Sequence, residues 1–202
     1  MLLKINSQNP EPEKIEQVVD VLKNGGIIVY PTDTIYGLGC DIFNKKAITK
    51  IYQLKKREQK KPMSIICTDL REIAKYALIN DYSFQILKKS LPGPYTFILR
   101  AKSQTPKTVL SKNKTVGIRI PDNRICSEIV KKLGSPIITT SLNMSGEKVL
   151  TNPSQLSKEV FNKIDLIIDA GNLSQEPSSV IDLSGNYPII LRAGKGNLSL
   201  FK

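Results

Sequence analysis

Three short stretches carry residue types suited to holding phosphate or a small polar ligand. KKREQKK, Lys55–Lys61, has five basic residues and one acidic in seven. Nucleotidyl or phosphoryl transfer needs cations at the phosphates more than it needs a covalent nucleophile. Arg57 and Lys61, on one side of such a loop, would make a polyphosphate clamp; a solvated loop between helix and strand uses the same residues. TTSLNMSG, Thr139–Gly146, places hydroxyls and an amide directly after an apolar run. Those groups can coordinate phosphate oxygens or nucleotide-bound Mg²⁺, although an ordinary strand-to-helix turn looks alike. In GGIIVYPTDTIYGLGCD, Gly25–Asp41, a strand runs into a long polar loop, Pro31–Gly39, rather than a tight turn.

What is missing narrows the chemistry. The chain has no histidine, which removes Ser-His-Asp triads, Cys-His dyads and histidine-based metal centres. Cys40, Cys67 and Cys126 are widely spaced with no CxxC pair, which argues against a disulfide framework and a zinc site. No GxxxxGK[ST] occurs, and Gly37-Leu38-Gly39 lacks the third glycine of a dinucleotide fingerprint. Catalysis would rest on Lys, Arg, hydroxyls, carboxylates, backbone amides or groups of the substrate itself.

The elements that must position these stretches can be read from periodicity and caps. Ile15, Val18, Val19 and Leu22 follow Pro12 at helical spacing, with Gly25 as the stop. Ile27–Tyr30 is a strand, Lys45–Lys55 a helix and Met63–Cys67 a strand; Asp69 with Glu72 forms a capping box for the next helix. Tyr82–Lys89 is helical and ends at LPGP, a rigid turn into a strand. Strands follow at Tyr95–Ala101 and Val116–Ile120, then a helix at Asn123–Leu133 and a strand at Pro136–Thr140. Asn152-Pro153 opens another helix. The remainder is β-rich: Leu166–Asp169, Ser179–Leu183 and Ile189–Arg192. Helices mixed with strands and no linker imply a single α/β domain over 1–202. The polar stretches repeatedly follow strands, where ligands of open α/β sheets tend to sit.

Composition sets the class. The chain has 202 residues, 40% hydrophobic and 24% charged, and carries a net charge of +12. That is an ordinary globular composition with room for a core. No run is long enough to span a membrane and the N-terminus does not read as a signal peptide, so a cytoplasmic protein is expected. The basic surface favours nucleotide or nucleic-acid partners. Only 6 of the 30 basic residues are Arg, and Arg57, Arg119 and Arg192 fall in the polar clusters. Each is a candidate for the bidentate contacts that Lys cannot make.

Seven fragments in order resemble the YrdC/TsaC threonylcarbamoyl-AMP synthases: GGIIVYPTDTIYGLGCD, KKREQKKPMS, LPGPYTFIL, VGIRIPD, ITTSLNMSG, SSVIDLS and ILRAG. The resemblance runs from about Gly25 to Gly194. It implies a twisted mixed sheet with flanking helices and a basic concave cavity. It also implies a reaction in which L-threonine, bicarbonate and ATP, with its Mg²⁺, give L-threonylcarbamoyl-adenylate and pyrophosphate. The product would feed threonylcarbamoyladenosine modification of tRNA through downstream partner proteins. By the same resemblance the catalytic signature falls on Lys55, Arg57, Ser141 and Asn143. Arg57, Lys61, Thr115, Ser141, Asn143 and Arg192 would hold ATP; Thr34, Arg119, Thr139 and Ser178 would hold threonine. Asp33, Ile66, Pro177 and Ala193 depart from the family pattern, and Ile66 and Pro177 bear on the amino-acid side. Two alternatives stay open on the same scaffold: a YciO-type paralogue and a module that binds double-stranded RNA or tRNA. Aromatics at 6%, without an aromatic/basic run, weigh against base stacking.

Overall fold

Helix α1 (Pro12–Lys23) starts on its proline and buries Ile15, Val18, Val19 and Leu22, the spacing of one helical face. It stops where Gly25 takes φ +79°; a Cβ there would come within 2.5 Å of the Asn44 side-chain amide. The computed structural model describes residues 1–58, 61–143 and 149–201. Strands β1 (Leu2–Lys4), β2 (Ile28–Tyr30) and β3 (Gly37–Gly39) are followed by α2 (Lys45–Leu54), β4 (Ser64–Ile66), α3 (Leu70–Tyr76) and α4 (Asp81–Ser90). Then come β5 (Tyr95–Arg100), β6 (Thr115–Arg119), α5 (Arg124–Leu133), β7 (Ile137–Ser141), α6 (Lys158–Phe161), β8 (Leu166–Asp169), β9 (Ser179–Asp182) and β10 (Ile189–Arg192).

The strands form one mixed ten-stranded sheet in the order β1-β8-β2-β3-β7-β4-β6-β5-β9-β10. Successive residues of a strand point to opposite faces, and the core divides accordingly. Val29, Ile65, Ile118, Ile138 and Ile167 pack with α2, α3 and α4 through Ile48, Ile51, Ile73 and Leu87. Their neighbours Ile28, Ile66, Ile137 and Leu166 pack on the other face with α1 and α5 through Val18, Leu22, Ile125 and Ile129. The second group of helices covers only part of its face. The uncovered part is the floor of the cavity described below.

The sheet curls. From β2 to β10 there are seven steps in the strand order, about 33 Å across a flat sheet. Yet Lys195, just past β10, donates from Nζ to the Asp33 carbonyl, just past β2, at 2.6 Å. That contact requires the sheet to bend round until its β10 end meets the β2–β3 loop, which gives the expected concave form.

Several local expectations are corrected. The Pro31–Gly39 stretch is not all loop: Gly37–Gly39 is β3, paired antiparallel with β2 and β7. Glycine is required there, since a Cβ on Gly39 would lie 2.2 Å from the Ile138 carbonyl oxygen and one on Gly37 2.9 Å from the Tyr30 ring. Asn152-Pro153 opens a single 3₁₀ turn, Pro153–Gln155, and α6 follows under its own Ser157 cap. The Asp69 cap accepts from Glu72 N at 2.8 Å, but the Glu72 carboxylate accepts from Thr68 N and Oγ1 instead of closing the box. Among the described residues, no helix is long and apolar enough to cross a membrane.

Candidate functional site

Strand alternation builds the site. In β6, Val116 and Ile118 enter the core while Thr115, Gly117 and Arg119 face a cavity of about 390 Å³. In β5, Phe97 and Leu99 enter the core while Thr96 and Ile98 face the same cavity. Gly117 keeps this floor low, because a Cβ there would come 2.6 Å from Ser64 Oγ. Thr139 and Ser141 of β7 form one wall, and Ser178 with Arg192 form the other. Among the described residues the lining includes Arg57, Arg119 and Arg192 and no carboxylate.

Each arginine is held by other groups so that part of its fork stays available. Arg57 follows α2 through a left-handed turn at Lys56, φ +48°. The Lys56 N–H donates to Gln53 O and the Arg57 N–H to Tyr52 O, which closes the helix end in a Schellman arrangement. The side chain then donates from Nε to Lys61 O at 2.9 Å and from Nη2 to Pro62 O at 3.0 Å. Arg119 donates from Nη2 to Asp33 Oδ1 at 2.8 Å and to Thr34 Oγ1 at 3.0 Å, and its buried Nε has no partner among the described residues. Arg192 donates from Nε and Nη2 to Ser178 O at 3.0 and 2.8 Å. Burial pulls the Arg192 pKa below its ordinary value and the charge of Arg119 adds to the effect. Like charges facing one cavity favour an anionic ligand that would relieve them.

A β-bulge aims Arg192. Ile189 pairs with Asp182 and Ile190 with Ile181, but Arg192 rather than Leu191 pairs with Val180. Paired residues share a face, and Val180 lines the cavity whereas Ser179 is fully buried. In regular register Leu191 would face the cavity and Arg192 the opposite side of the sheet. The extra residue reverses that.

Of the residues expected from the sequence, Arg57, Thr115, Arg119, Thr139, Ser141, Asn143, Ser178 and Arg192 share this cavity. Three others do not line it. Lys61 is 65% exposed and turns to Glu58 at 3.8 Å; only its backbone carbonyl serves the site, under Arg57. Thr34 is buried behind Arg119, its hydroxyl shared with Thr32 at 3.0 Å. Lys55 is also buried, and its ammonium points to the backbone of Ser141 and Asn143. Gln59 and Lys60 of the basic run, and Met144 to Gly146 of the hydroxyl run, lie outside the described residues. Ser64, Thr96 and Ser111 were missed although they line the cavity; for Thr96 the alternation in YTFILR was the available signal.

Comparison with known proteins gives this pocket its relatives. Residues 20–194 match the family pattern Sua5_yciO_yrdC, described as telomere recombination. The chain belongs to the Sua5/YciO/YrdC family. Within that family it is 36% identical to Escherichia coli YciO over 199 residues, 98% of this chain and 97% of the other. The crystal structure of E. coli YciO superposes with a TM-score of 0.95, covering 100% of this chain and 99% of that one at 35% identity. A Methanocaldococcus jannaschii protein with the provisional name threonylcarbamoyl-AMP synthase is 39% identical over 198 residues, 96% of this chain and 92% of the other. The structure of P. abyssi Sua5 complexed with L-threonine superposes with a TM-score of 0.89 at 27% identity, covering 96% of this chain and 57% of that one. In this Sua5/YciO/YrdC member, Ile66 is fully packed in the core beside the floor, and Pro177 lies in the cavity lining.

Proposed function

We propose that this chain is a nucleotidyltransferase that makes L-threonylcarbamoyl-adenylate from L-threonine, bicarbonate and ATP, for threonylcarbamoyl modification of tRNA by downstream proteins. The observation that carries the proposal is the pairing of Arg57, Arg119 and Arg192 in one lining that has no carboxylate among the described residues. Its volume, about 390 Å³, is of small-molecule size.

The chemistry suits a site without histidine. Threonine's amine takes up bicarbonate with loss of water, and a carboxylate oxygen of the resulting carbamate attacks the α-phosphorus. The bond to the bridging oxygen breaks, and pyrophosphate leaves with the electron pair. The nucleophile belongs to the substrate, so the protein supplies positioning and charge. Mg²⁺ arriving with ATP would share the phosphate charge. Arg57, Thr115, Ser141, Asn143 and Arg192 would hold the nucleotide. Arg119 would take the threonine carboxylate, flanked by Thr139 and Ser178 and braced from behind by Thr34.

Pro177 in the lining and Ile66 beside the floor favour a second reading, the same reaction class on a different amino acid. Mass spectrometry after turnover with ¹³C-bicarbonate tests both. One labelled carbon in a threonyl adenylate supports the first reading. A labelled adenylate formed only with another amino acid replaces it with the second, and an absence of adenylate removes both.

A further inference from the structure

Behind the cavity wall lies a second, apolar hollow of about 150 Å³, lined by Leu38, Leu54, Leu142, Leu150, Leu156 and Val160. Asn143 borders both spaces, so the Ser141–Asn143 turn is a partition between them. Lys55 reaches this turn from the hollow side at 3% exposure. Its Nζ donates to Ser141 O at 2.5 Å, Asn143 O at 2.7 Å and Asn143 Oδ1 at 3.2 Å. An ammonium has three N–H donors and here meets three acceptors. The Ser141 hydroxyl in turn donates to Asn143 Oδ1 at 2.5 Å, so the turn's two polar side chains are fixed through one oxygen that Lys55 also holds.

We infer that Lys55 is a positioning residue: its buried ammonium clamps the Ser141–Asn143 turn as the wall between the polar cavity and the apolar hollow. The inference takes its ligand from the proposed nucleotide site, but the clamp stands on this geometry alone. A charge this deeply buried, held among the described residues by carbonyl oxygens and no carboxylate, is expensive to keep, and apolar space waits on the far side of the turn. Loosening the clamp therefore frees the turn to move away from the cavity. Burial lowers the Lys55 pKa to about 8, with Arg57 adding to it. Among the described residues, the polar neighbours from the facing elements are Ser141, Asn143, Gln155 and Ser157, none of which titrates.

Amide hydrogen exchange on the whole chain tests this. In Lys55→Met and Lys55→Gln, protection of the Leu142 and Asn143 amides should fall about 10- to 100-fold, the range for losing hydrogen bonds to a charged donor. The amides inside α2 should keep theirs. In the wild type the protection of the Leu142 and Asn143 amides, corrected for intrinsic exchange, should rise between about pH 8 and about pH 10.5, because an opened turn returns Lys55 toward its ordinary pKa, and stay flat in Lys55→Met. Unchanged protection of the turn overturns the inference. If Lys55→Met also melts α2, the wild-type pH series decides, and a rise outside the turn or no rise overturns it. ATP titrated by calorimetry into the wild type separates the two claims. If ATP fails to bind, the nucleotide reading falls, while the exchange data still decide the clamp.

Discussion

Arg119 and Asp33 form a buried ion pair, Nη2 to Oδ1 at 2.8 Å, with side chains 7% and 8% exposed. The second Asp33 oxygen accepts from Asp122 N at 3.2 Å, and its carbonyl accepts from Lys195. One residue thus joins the cavity floor, the loop after β6 and the segment after β10. Removing one partner of such a pair strands a charge. Asp33→Ala should cost about 3–5 kcal/mol in urea unfolding, whereas Glu128→Ala, from the exposed pair with Lys131, should cost less than about 1 kcal/mol. Equal effects would mean that the pair does not brace the sheet.

Arg57→Lys retains the charge and loses the fork. Two of the Arg57 donors are engaged by Lys61 O and Pro62 O, which fixes the plane of the guanidinium. A lysine ammonium has three donors but lacks the planar fork that holds both oxygens and keeps a fixed N–H toward the cavity. ATP affinity by calorimetry should fall about 10- to 100-fold. Near-normal affinity would remove Arg57 from the site.

The β10 bulge yields a parity test. Deleting Leu191 leaves Ile190 opposite Ile181 and Arg192 opposite Val180, now in regular register. The deletion should therefore keep ATP affinity within about threefold, less than about 1 kcal/mol, while Arg192→Ala loses it. A deletion as damaging as Arg192→Ala would show that the bulge does more than set which face Arg192 occupies.

Lys55 gives a stability signature with a definite sign. Its pKa is lowered from 10.5 to about 8 on folding, so between those values the unfolded chain binds more protons. Stability contributed by this group therefore rises with pH from about 8 to 10.5 and is flat below. The rise amounts to at most about 3 kcal/mol. Urea unfolding at the two ends of the window should show it in the wild type and lack it in Lys55→Met; parallel curves would contradict it.

What the sequence made legible follows from the range of each interaction. Helices α1, α2 and α5 carry a repeating apolar face, so their positions were readable. Strand β3 has one side chain in three residues, Leu38, and leaves no alternation to detect. Strand β1 is three residues long and owes its place to β8, which lies far along the chain. The strand order and the curl that brings Lys195 to Asp33 come from contacts 162 residues apart, with no local trace. Arginine in a lysine-rich chain marked Arg57, Arg119 and Arg192 well, because the bidentate need is a property of the residue itself. Lys55 was expected among the catalytic groups from the family signature; its partners in the fold, backbone carbonyls 86 and 88 residues away, carry no side-chain signature that the sequence could show. Nothing in IILR announces the bulge that turns Arg192 inward.

The most direct test of the proposed function is pyrophosphate release from ATP and Mg²⁺, measured with L-threonine and bicarbonate added singly and together. Release is expected only when both are present, with little when serine replaces threonine and a loss in Arg119→Ala. Release that ignores threonine, or none from a chain that binds ATP, would contradict it.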